Sequence, residues 1–125
     1  MTKEQLEFYL NRKNVFGYNT ENDDKIVGWI TVYKRFPIEG FFERHVEIAG
    51  PKKFEEQMKI KSEPYLINVG QVTRDVFESE KFAGNEDYLL NTTYSFGSLD
   101  DVESFLKELG YDFANIKWGA DIDFL

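Results

Sequence analysis

The sequence predicts an α+β domain: an antiparallel sheet of about five strands with helices packed on one face. Three observations carry this expectation. Segments of strand-like alternation follow one another through short turns, as hairpins do. Helical patterns stand at the start, in the middle and at the end. No repeat, low-complexity tract or linker divides the 125 residues, so 1–125 reads as one domain, long enough to bury a core without disulfides.

Each element has its own signal. Thr2 with Gln5 forms a capping-box pattern, and Leu6, Tyr9 and Leu10 then share one helical face, with Phe8 off it. Val15–Tyr18 reads as a strand, and Asn19–Lys25 as a polar turn. Ile26–Phe36 is apolar on both faces, which marks a central strand; Gly28 within it signals a bulge or a close backbone approach. Pro37–Gly40 is a turn, and Phe41–Ala49 alternates as a half-buried strand. Pro51 suits the first turn of a short helix bearing Phe54 and Met58, with an irregular or extended segment as the alternative. Tyr65–Val72 is a strand, and Thr73–Ala83 a helix closing at Gly84. Tyr88–Phe96 alternates, with Tyr88, Leu90, Thr92, Tyr94 and Phe96 on one face. The clearest helix follows. Ser98 caps it, Asp100 and Asp101 favour its N-terminal dipole, and Leu99, Val102, Phe105, Leu106 and Leu109 form its stripe. Gly110 ends it in the left-handed conformation. The tail from Tyr111 carries Phe113, Ile116, Trp118, Ile122, Phe124 and Leu125, and docks on the body with a short strand.

Composition narrows the chemistry. With no cysteine, thiolate metal sites and cysteine nucleophiles are excluded. The sequence contains no phosphate-binding loop, dinucleotide fingerprint, zinc-protease helix, nucleophile elbow or EF-hand loop. The polar start and the lack of a long apolar run point to a cytoplasmic protein without a membrane partner. No cofactor is implied, and the oligomeric state is left open.

The net charge of −8 is unevenly placed: residues 1–61 sum to +1 and residues 62–125 to −9. Such a surface repels nucleic-acid backbones and anionic membranes and steers basic proteins toward it. The expected partner-binding residues are therefore the acids Glu78, Glu80, Glu86, Asp87, Asp100 and Asp101, with Tyr88, Tyr111 and Trp118 as aromatic anchors. Each has a plainer explanation: the acids as helix caps and a solvated face, the aromatics as strand and core residues. Tyr18, Trp29, Tyr33 and Tyr94 belong to the same aromatic set. His45 is the one histidine, on the outer face of its strand beside Glu43 and Glu47, and a solvated surface role accounts for it. Asp121 and Asp123 share a face in an extended tail, where a carboxylate pair could hold a hard cation or merely protect a strand edge.

In size, in acid excess between Glu78 and Asp123, and in its aromatic, cysteine-free make-up, the chain resembles the small cytoplasmic immunity proteins that neutralise bacterial toxins. The resemblance covers the whole chain and carries no diagnostic motif, so no site residue is transferred. It implies a stoichiometric inhibitor whose acids occupy the phosphate place on a basic toxin or nuclease. The alternative is a small-molecule-binding or enzymatic domain with a pocket near Trp29, Tyr33 and His45.

Overall fold

A computed structural model of the protein describes residues 1–35, 63–79 and 84–125. The turn at Pro37, the strand Phe41–Ala49, the helix after Pro51, His45 and Glu80 lie outside the described residues. The elements in chain order are α1 (Lys3–Leu10), β1 (Phe16–Asn22), β2 (Ile26–Lys34), β3 (Tyr65–Thr73), α2 (Arg74–Glu78), β4 (Tyr88–Phe96), α3 (Leu99–Glu108) and β5 (Lys117–Trp118). The strands form one five-stranded antiparallel sheet in the order β4-β3-β2-β1-β5.

The double-sided apolar pattern of β2 places it in the middle of the sheet, as expected. Ile30 and Val32 face one side with Phe16, Tyr18, Tyr65 and Ile67. There Leu6 and Leu10 of α1 and Leu99, Val102 and Leu106 of α3 cover them. Each such fully buried aliphatic side chain stabilises the fold by about 1.5–3 kcal/mol relative to exposure. Val27 and Trp29 face the other side with Val72, against Val76, Phe77, Tyr88 and Phe124. The two longer helices therefore share one face, whereas the five-residue α2 packs on the opposite one.

Local signals set the helix ends. In α1 the Thr2 hydroxyl accepts from Gln5 N at 3.2 Å and the Gln5 side chain accepts from Thr2 N at 2.9 Å. In α3 the Ser98 hydroxyl accepts from Asp101 N at 3.2 Å, and Gly110 adopts φ +91° beyond the C-cap Leu109. The expected helix over Thr73–Ala83 is shorter: Thr73 caps it, and Ser79 already has extended backbone.

Two expectations are corrected by pairing, and the close approach expected at Gly28 is found. Strand β1 continues through Asn19–Asn22, where a polar turn was predicted, because these residues pair with Val27–Trp29 across a bulge between Asn19 and Glu21. Gly28 lies opposite that bulge, where a Cβ would meet the Thr20 hydroxyl. In β4 a register shift opposite Gln71 and Val72 turns Tyr88 away from the face of Leu90, Thr92, Tyr94 and Phe96. Tyr88 instead packs edge-on against Trp29, with centroids 6.3 Å apart.

The tail wraps the β1 edge. β5 pairs with Phe16 and Gly17, and Gly119 N then donates to Val15 O at 2.7 Å. The chain turns through Gly119–Asp121 onto the opposite face, where Ile122 lies against Gly17. Asn19 clasps it there: its amide donates to Asp123 O at 2.8 Å, and Asp123 N donates to its carbonyl oxygen at 2.9 Å.

Trp29 is seated on Gly70, where an added Cβ would lie 2.2 Å from the indole ring. The Gly70→Ala variant is expected to lose about 1–3 kcal/mol of stability in urea unfolding, the cost of overpacking a filled core. Gly97→Ala, with nothing within 4 Å of the new methyl, serves as the neutral comparison.

Candidate protein-binding surface

Antiparallel pairing gathers the acids by strand end rather than by sequence. β1 ends at Asn22, β2 starts at Ile26, β3 ends at Thr73 and β4 starts at Tyr88, all at one end of the sheet. Among the described residues that end carries Glu21, Asp23, Asp24, Asp75, Glu78, Glu86, Asp87 and Asp123, against Lys25 and Arg74. Glu21, Asp23 and Asp24 come from the charge-balanced half of the sequence, and only register places them beside Glu78 and Glu86.

The turn between β1 and β2 is fixed by its own backbone. One Asp23 carboxylate oxygen accepts from both Ile26 N and Lys25 N at 2.8 Å. These bonds, with the nearby cations Lys25 and Arg74, hold the Asp23 carboxyl below the usual carboxylate range and keep it charged. Arg74 is engaged in holding the turn. Its side chain donates to Asp23 O at 3.0 Å and to the Asn22 side chain, and its backbone N–H donates to Lys25 O at 2.8 Å. One of the two cations that the described residues place at this end is thereby largely committed to the scaffold.

The predicted residues fall in separate places. Glu78 and Glu86 are exposed at the hairpin end. Asp87 stands beside them half-buried, its carboxylate accepting from Gly84 N at 2.8 Å. Asp100 and Asp101 lie beyond the far end of β4, in the first turn of α3, and Asp100 pairs with Lys3. Tyr111 stacks on Tyr18 at 4.9 Å, and Trp118 packs against Tyr9 and Phe16 at 4.8 and 4.6 Å on the β5 edge. Tyr111 and Trp118 therefore anchor the tail and do not join the acids. Trp118 keeps 38% of its surface exposed at that remote edge.

Of the alternative pocket, Trp29 is 1% exposed, and its indole N–H donates to the Asn68 side chain at 2.9 Å. It is a satisfied core residue. Tyr33 is half-buried on the same strand face, and burial pushes its phenol up. A cleft of 470 Å³ lies on the other face, lined by Lys3, Glu4, Glu7, Tyr65, Ser98, Leu99 and Asp100. Several of its polar groups already pair internally, Lys3 with Asp100 among them. The Tyr65 hydroxyl donates to the Glu7 carboxylate at 2.6 Å, and Lys34 lies 3.7 Å from the same carboxylate. Asp123 is likewise engaged, accepting from the Asn22 amide at 2.7 Å. Among the described residues no group of three or more His, Cys, Asp or Glu is placed to hold a metal ion. No helix among them is long and apolar enough to cross a membrane.

Sequence reasoning missed one feature beside these acids. Among the described residues β4 is an edge strand, and its nine residues carry no charge and no proline. Its uninterrupted uncharged run, among charges on either side, was the available signal. Comparison of the chain with protein families, with curated proteins and with solved structures returns no match.

The phenols give a pH signature. Burial and Asp112 push Tyr18 up, and burial and Glu7 push Tyr65 up, from the ordinary value of 10.0. A raised folded-state pKa gives stability that is complete below 10 and lost as the pH climbs toward the folded value. Unfolding free energy is expected to fall from about pH 10 upward. A Tyr18→Phe/Tyr65→Phe variant should lose less over that window in urea titrations at stepped pH.

Proposed function

We infer that the protein is a small acidic binding protein that captures a basic protein partner, in the manner of an immunity protein masking a toxin or nuclease surface. The observation that carries this reading is the anionic hairpin end, where among the described residues eight carboxylates stand against two cations and four chain segments converge on one sheet. Preorganised charge on a rigid element suits fast capture of a cationic surface. A phosphate-binding active site is such a surface, and carboxylates can stand where its phosphates would.

Local engagement supports the reading further. Asp24, Asp75, Glu78 and Glu86 are exposed carboxylates on ordered turns and short helices, so little side-chain order beyond their own must be fixed on binding. Trp29, the anchor of the ligand-pocket alternative, is consumed by core packing.

Affinity purification of the tagged protein from its native cells, at low and at high salt with mass spectrometry, tests this. A stoichiometric basic partner whose recovery falls as salt rises is expected. Reversing Asp24, Asp75 and Glu86 to Lys should slow its association by about tenfold or more at low ionic strength, with a smaller effect near 0.3 M salt. Recovery of no basic partner, or an association rate unmoved by these reversals, counts against the reading.

A further inference from the structure

The sheet has two edges, and they are treated differently. At one, β5 pairs with β1 and the tail folds over it. At the other, no strand among the described residues pairs with the outer side of β4. Proteins commonly guard such an edge with Lys, Pro, inward charges or a very short strand. β4 runs nine residues, Tyr88–Phe96, without a charge or a proline. Its one irregularity is the register shift near its start. Leu89, Leu90 and Tyr94 stay 56%, 39% and 41% exposed. Tyr94 is propped from the helix side by Phe105 at 5.0 Å.

Charge brackets this edge at both ends. Glu86 and Asp87 immediately precede Tyr88. At the far end Glu63 accepts from the Ser95 hydroxyl at 3.3 Å, and Asp101 stands one turn before Phe105 on the same flank of α3. Glu86 and Asp87 on one side and Asp101 on the other, all among the expected partner-binding acids, are thus the two flanks of one uncharged strand. Nine strand residues separate them by about 30 Å.

We propose that the outer edge of β4 accepts an extended, basic-ended segment of the partner as a sixth strand of the sheet. Main-chain hydrogen bonds supply the affinity and alternate side chains the fit. The apolar middle of the added strand covers Leu90 and Tyr94, and Lys or Arg at its ends meet Glu86 and Asp87 on one side and Asp101 on the other. A second copy of this chain fits less well. Antiparallel pairing of β4 with itself about Thr92 sets Glu86 and Asp87 beside the Asp100–Asp101 turn of the other copy, like charge against like. The mode rests on the reading of a basic partner given above, and adds where and how that partner docks.

The probe is the synthetic peptide KRTVTVTVTKR, titrated into the labelled protein and followed by amide NMR at about 50 and 300 mM salt. It should shift the Tyr88–Phe96 amides, give cross-strand contacts to them and bind more weakly at the higher salt. The acid-ended peptide EDTVTVTVTDE should bind at least about tenfold more weakly, as should the basic peptide to a Glu86→Lys/Asp101→Lys variant. Asp121→Lys with Ala114→Lys and Asn115→Lys changes the net charge equally at the β5 edge and should leave binding unchanged. Unperturbed β4 amides, edge amides already fully protected from exchange in the free protein, or self-association through β4 that the peptide cannot displace would each overturn the proposal. A basic partner weakened by the hairpin-end reversals while β4 stays unperturbed would overturn strand addition alone and leave the broader reading intact.

Discussion

The fold depends on one constraint: β2 is apolar on both faces, so the sheet it centres must be covered on both. Ile30 and Val32 require the α1 and α3 layer, and Val27 and Trp29 require a second layer opposite. The two longer helices among the described residues lie on the first face, so they do not supply that second layer. Here α2 contributes Val76 and Phe77, and the tail contributes Phe124. The long final segment is therefore a structural part of the core, and its route around β1 follows from where the uncovered apolar residues sit.

That route closes one sheet edge as a by-product. Once the tail must pass from the helix face to the opposite face, the β1 edge is the short way round, and β5 pairs there in passing. Asn19 then explains a polar residue inside a strand. It bonds Gly28 O on its own sheet and clasps Asp123 in both directions, so its amide is satisfied by the tail it holds. The opposite edge receives no such segment from the described residues, and the asymmetry between the two edges is a consequence of how the core is covered.

What the sequence made legible was whatever is decided locally. Thr2–Gln5 and Ser98 set helix starts through bonds spanning three residues, and both are present. The period-two pattern located β2, β3 and β4 to within a residue or two. Long-range pairing was not legible. Asn19–Asn22 look like a turn by composition, yet pairing with Val27–Trp29 holds them extended. The face of Tyr88 depends on a register shift against β3 that no local pattern announces. Tyr111 and Trp118 fitted an interface by residue type, but stacking on Tyr18, Tyr9 and Phe16 turned them into anchors of the tail.

The same distinction governs the charge. Counting along the chain placed the acid excess in the second half, which is correct as arithmetic and incomplete as a surface. An antiparallel sheet folds the sequence back on itself, so residues at strand ends meet according to register. Glu21, Asp23 and Asp24 join Glu78 and Glu86, while Asp100 and Asp101 are carried a full strand length away from Asp87. A strand with carboxylates at both ends and none within it has a defined direction of complementarity: uncharged contact along its length, cations at its limits. This is a more specific demand on a partner than net negative charge, since a diffuse basic surface satisfies the second and only an extended segment of matching length satisfies the first.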